Sequence, residues 1–142
     1  MEAATNFATS PLGPEMYGDE AIDWARDFST RFTLEDLARF EKAFDIGRHE
    51  IGWDIDYSMK FGRAVLEWRP EQFEKWCKAF DWLVSGPMIE PDEAAAFASK
   101  FVSFDPIPRL RDLKRGTSLA EDNLNLTGFD AVQFAMSELK KA

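Results

Sequence analysis

Among its 142 residues the chain has one cysteine, Cys77, and one histidine, His49. A lone cysteine excludes an internal disulfide, so nothing suggests a disulfide-stapled secreted scaffold. No apolar run reaches about 18 residues, and no membrane span is expected. The opening stretch MEAATNF has neither a basic region nor an apolar core, so no secretory signal is expected either. A reducing, cytoplasmic setting follows as the default. Phosphate-cradling glycine loops, GxSxG elbows and HExxH helices are also missing.

The scarcity extends to chemistry. A Cys-His nucleophile needs an exposed thiolate with a base in hydrogen-bond reach. Cys77 instead falls in the middle of an apolar helical stripe, about 28 residues from His49, and reads as a small core hydrophobe. The run Asp54-x-Asp56-x-Ser58 begins like a calcium loop. Its sixth position is Met59 and its twelfth Val65, so the turn glycine and the bidentate glutamate are lacking. No catalytic residue, metal site or cofactor is expected.

What the chain does have is apolar bulk and acid. At 45% hydrophobic and 14% aromatic it can build a core and is too apolar to stay disordered. The formal net charge is −9, and it is uneven. Residues 1–45 hold 4 basic and 10 acidic groups, whereas residues 109–142 hold 6 basic and 5 acidic. General nucleic-acid binding draws on phosphate neutralisation, which this balance disfavours. A partner that is itself basic suits it.

The most ordered stretch is 57–84, which reads as two helices meeting at Pro70. On the first, Tyr57, Phe61, Ala64, Val65 and Trp68 share a face, with Met59 and Leu66 on a second. That width of apolar surface predicts a central helix with Phe61 in the core. On the second, Phe73, Trp76, Cys77, Phe80, Leu83 and Val84 form one stripe, closed by Gly86-Pro87.

In chain order, residues 1–18 contain Pro11, Gly13 and Pro14 and read as an extended arm. A helix is expected over 19–29, with Ala21, Ile22, Trp24, Ala25 and Phe28 inside. Thr33 and Asp36 make a capping box for the next, which carries Leu37, Phe40, Ala43 and Phe44. Residues 48–57 alternate Ile51, Trp53, Ile55 and Tyr57 in the period of a short strand, for which Leu124 and Leu126 could supply a partner. Pro91 opens a helix with Ala94, Phe97, Ala98 and Phe101 inside. A basic piece, RLRDLKR at 109–115, precedes a short turn capped by Ser118 and Glu121. The last helix starts near Thr127 and buries Ala131, Val132, Ala135, Met136 and Leu139. Lys-Ala-Phe-Asp occurs at 42–45 and again at 78–81, a faint internal echo.

The expected fold is therefore all-α: a compact bundle of five to six helices, with room for one short two-stranded β piece. Residues 19–142 would form a single helical domain behind the arm of residues 1–18.

Three surfaces could bind something. Asp19, Asp23 and Asp27 stand in an i, i+4, i+8 row with Glu20 beside them. Like charges at this spacing cost a helix a few tenths of a kcal/mol each, so the row has a use or is merely solvated. Carboxylates four residues apart stand about 6 Å apart along the axis, and a duplex carries one charge per about 1.7 Å. A single row is a sparse phosphate mimic, which Glu35, Asp36 and Glu41, or Glu90, Asp92 and Glu93, would have to fill out. Trp82, flanked by Lys75 and Lys78 and off the apolar stripe, could anchor an interface or pack on a loop. The basic piece 109–115 could pair internally or dock on an acidic partner or on phosphates.

These features point to a non-enzymatic acidic protein that occupies a basic surface of another macromolecule. An inhibitor of a nucleic-acid-binding machine is of this physical type, as phages and mobile elements use against host defences. The expected partner is a basic, nucleic-acid-binding protein, with no direct nucleic-acid contact and no membrane. A toxin-neutralising immunity protein, or an adaptor docking through Trp82 and exposed apolar surface, is the alternative. A small pocket between aromatic helices is a third reading.

Overall fold

The computed structural model describes residues 1–141, and every regular element in them is helical. The helices are α1 (Glu2–Thr9), α2 (Gly18–Arg31), α3 (Leu34–Asp45), α4 (Ile55–Val65), α5 (Pro70–Ser85), α6 (Pro91–Ser103), α7 (Leu110–Leu124) and α8 (Gly128–Lys141). A π-helical turn, Ile46–Ile51, carries α3 toward α4. The count is eight rather than five to six, and no strand occurs among the described residues. Contacts divide the chain between Arg69 and Pro70 into two compact units.

In the first unit the expected arm is a helix. Ala4 and Ala8, one turn apart, are buried, and Phe7 packs on the core. Two alanines and one phenylalanine make a narrow apolar stripe that a search for large residues passes over. α1 lies against α2, where Ala21 and Ala25 are buried as well. Phe7 joins an aromatic cluster, its ring centroid 5.7 Å from Trp24 and from Phe40 and 5.3 Å from Phe44. Phe28 and Leu37 complete this core.

α3 opens on the expected capping box. Thr33 Oγ1 accepts from the Asp36 N–H at 3.1 Å, and the Thr33 N–H donates to Asp36 Oδ2 at 2.9 Å. Beyond Asp45 the helix widens instead of becoming a strand. The Gly47 carbonyl accepts from the N–H groups of Gly52 (3.0 Å) and Trp53 (2.8 Å), and Gly52, at φ +91, ends the turn in a conformation suited to glycine. None of Ile51, Trp53, Ile55 and Tyr57 is buried, so their alternation marks no core face. Asp54 caps α4 instead, its Oδ1 accepting from the Tyr57 N–H at 2.7 Å.

α4 is not the central helix that its large residues suggest. Its buried positions are Ser58, Gly62 and Val65. Tyr57 is 55% exposed, and Phe61 is half-buried, edge-on to Trp53 and Trp68. The small residues let α3 come close, since a Cβ on Gly62 would lie 3.0 Å from the Phe40 ring.

In the second unit α5 packs on α6 and α7 on α8. The α5 stripe is buried as expected, apart from the half-buried Val84. Phe73, Trp76 and Phe80 stack in series, and Trp76 Nε1 donates to Ser99 Oγ at 3.0 Å. Pro91 starts α6, which buries Ala94, Ala95, Phe97, Ala98 and Phe101. The basic piece and the turn expected at Ser118 are one helix, α7, and Ser118 is exposed on it. Leu124 ends α7 and Leu126 follows outside regular structure, so neither pairs with residues 48–57. α7 meets α8 closely, because a Cβ on Gly116 would stand 3.1 Å from that of Ala135. Both copies of Lys-Ala-Phe-Asp bury Ala and Phe and expose Lys and Asp, which an amphipathic helix by itself explains.

Candidate functional site

α2 begins at Gly18, whose φ of +52 turns the chain into the helix. Asp19 and Glu20 fall in the first turn, where the positive end of the helix dipole favours carboxylates. Both are exposed, and neither has an ion-pair partner among the described residues of its unit. Further along, Arg26 stands 3.8 Å from Asp23 and Arg31 3.6 Å from Asp27. Those aspartates are 74% and 68% exposed, so solvent screens both pairs and they hold little. The row is thus most acidic at its N-terminal end. Ile22 belongs to it rather than to the core: it is 39% exposed, and Tyr17 is 79% exposed. At i, i+3 and i+4, Asp19, Ile22 and Asp23 share one face.

The other acids are placed differently. Glu35 is exposed in the first turn of α3. Asp36 is half-buried, closes the capping box and pairs with Arg39. The Thr33 backbone N–H holds its carboxyl below the usual carboxylate range, helped by the Thr33 hydroxyl and Arg39 against the opposing effect of burial. Glu41 sits half-buried in a groove of about 410 Å³ with Phe7, Leu12, Ala38 and Phe44, and loss of water pushes its carboxyl up. Glu90, Asp92 and Glu93 lie at the start of α6, in the other unit. The first unit also has an aromatic groove of about 220 Å³, floored by Trp24, Phe28, Phe32, Phe40 and Met59. Arg31, Lys60 and Arg63 edge it, and the Arg63 guanidinium lies 4.7 Å over the Phe32 ring. It is smaller than the roughly 300–1,000 Å³ of ordinary ligand pockets.

Lys75, Lys78 and Trp82 are on α5 in the second unit. Trp82 is half-buried, with the Lys114 ammonium 6.0 Å from its ring and Gly86 so close that a Cβ there would lie 2.7 Å from the indole nitrogen. Its face is therefore partly taken by its own unit. Lys75 and Lys78 instead edge a groove of about 240 Å³ that Arg109 completes, over a floor of Phe101, Ile107, Pro108 and Leu110. Lys78 stands 3.8 Å from Glu74. Arg109, Arg111, Lys114 and Arg115 are all exposed, and none forms an ion pair with an acid among the described residues of its own unit. Nothing in the local sequence links Arg109 to Lys75, because only the packing of α6 brings them to one groove.

Cys77 is buried on α5, while His49 Nε2 lies 3.0 Å from the Leu12 carbonyl and 3.9 Å from Asp45, in the first unit. No three His, Cys, Asp or Glu side chains among the described residues are grouped to hold a metal ion. No described helix is long and apolar enough to cross a membrane. Against known proteins the chain stands apart: no family model, no curated protein and no solved structure matches it.

Proposed function

We propose that this protein is a non-enzymatic binding protein that presents the acidic face of α2 to a basic surface on another macromolecule. The observation that carries the reading is the exposed set Asp19, Glu20, Asp23 and Asp27, none of which caps a helix or enters a buried network. Glu35 adds charge in the same unit, whereas Asp36 is committed to its cap. Exposed Ile22 and Tyr17 give the face apolar contact that a bare phosphate mimic lacks. That combination suits a protein partner with a basic, partly apolar site, such as the nucleic-acid groove of an enzyme the chain would inhibit. Arg26 and Arg31 dilute the row, so the decoy charge rests on its first half.

An adaptor role through Trp82 has less behind it, because Lys114 and Gly86 already cover part of the indole. The test is a low-salt pull-down with the tagged parent beside its Asp19→Asn/Asp23→Asn/Asp27→Asn variant. Basic nucleic-acid-binding proteins should be captured by the parent, lost from the variant and displaced by added nucleic acid. Equal capture by both chains would overturn the reading.

A further inference from the structure

The groove of the second unit has three cations at its edge, Lys75, Lys78 and Arg109, and no acid among its lining. Its floor is apolar, so a bare phosphate chain would leave that floor unused, and an anionic ligand carrying an apolar side chain would fill it. The same chain exposes such an element. On α2, exposed Ile22 lies beside Asp19 and Asp23, and Glu20 adds a further acid in the first turn. Counting the neighbouring Arg26 and Glu74, the face carries two net negative charges and the groove edge two net positive. We propose that the groove receives the α2 face of a second copy of this chain, with Ile22 on the apolar floor and Asp19 and Asp23 against Lys75, Lys78 and Arg109.

The two patches differ, so the contact is head-to-tail and leaves a free face and a free groove at the ends of every assembly. Association then grows with concentration and reaches no fixed stoichiometry unless a ring closes. The chain's net charge of −9 opposes it, which makes the contact weak and keeps monomers available. A basic partner would compete for the same carboxylates, so self-association would hold the acidic face in reserve.

The inference rests on the α2 face being a binding surface. Its test is sedimentation equilibrium of the full chain across concentration, in low and in high salt. The parent should rise above its 16.3 kDa monomer mass in low salt and return to it at about 1 M, where the screening length is about 3 Å. Asp19→Lys/Asp23→Lys and Lys75→Glu/Lys78→Glu should each weaken association at least tenfold with unchanged far-UV CD. Mixed together, these two variants should associate again, because the intact face of one meets the intact groove of the other and the reversed face meets the reversed groove. A parent that stays monomeric, variants that associate like the parent, or a mixture that stays monomeric would each overturn the proposal. If the parent stays monomeric yet its acidic face still captures a basic partner, self-association alone falls. If that capture fails as well, the binding reading falls with it.

Discussion

Asp36 separates a carboxylate that builds the fold from one available for binding, and its removal has a calculable effect. In Asp36→Ala the Thr33 N–H loses its acceptor and the first turn of α3 loses a negative charge. Arg39 is left without its carboxylate, and its Nε is already buried with no hydrogen-bond partner. A lost helix cap costs about 0.5–2 kcal/mol and a lost charge at a helix start about 0.3–1. Because these effects share atoms they do not add fully, and a loss of about 1–2 kcal/mol is expected. With a urea dependence of about 2 kcal/mol per molar, the middle of the usual range, the midpoint followed by far-UV CD should fall by roughly 0.5–1 M. Thr33→Ala should cost about 1 kcal/mol, and the double variant less than the two losses together.

The contribution has a definite sign with pH. The Asp36 carboxyl lies below its ordinary 3.8 in the folded chain, so its stabilisation is present at neutral pH and is lost as pH falls through the folded value. The parent and Asp36→Ala should therefore converge in strong acid. Equal midpoints at neutral pH, or strictly additive losses with Thr33→Ala, would refute the role given to the capping box.

Other consequences are quickly checked. Gly62→Ala should lower the melting temperature, because overpacking against the Phe40 ring, about 1–3 kcal/mol, outweighs a helix-propensity gain of about 1; a higher melting temperature would show that α3 and α4 are less close. Ser58 Oγ is buried without a partner, so Ser58→Ala should be neutral or stabilising in urea, and a loss above about 1 kcal/mol would mean the hydroxyl is bonded. Burial raises the Glu41 carboxyl above its ordinary 4.5, which costs stability at neutral pH and ceases to as the group protonates. Glu41→Gln should accordingly stabilise at neutral pH but not below about pH 4, near the reference carboxylate values, and an equal gain at both would refute the desolvation argument.

Large residues and chemical punctuation were readable in advance. Phe73, Trp76 and Phe80 mark α5 by spacing alone, Pro91 starts α6, and Thr33 with Asp36 caps α3. Contacts made by small residues were not. Ala4 and Ala8 dock α1, and Ser58 and Gly62 turn α4 onto α3; their value lies in how near a neighbour can come, which composition does not record. The same limit hid the π-helical turn, since an alternation of Ile, Trp and Tyr looks alike whether or not it faces a core. At the surface, the acidic row was visible as a spacing, but the exposure of Ile22 within it depends on which side α1 covers. The groove at Lys75, Lys78 and Arg109 exists only once α6 folds back on α5.

The most direct test of acidic-face binding is the association rate of a captured partner with the parent and with the Asp19→Asn/Asp23→Asn/Asp27→Asn variant, measured at several salt concentrations. Exposed charges act chiefly on association, so the parent should bind faster at low salt and lose that advantage as salt rises. The variant should bind more slowly, with little salt dependence, and should fold as stably as the parent. Equal low-salt rates for the two chains would contradict the account.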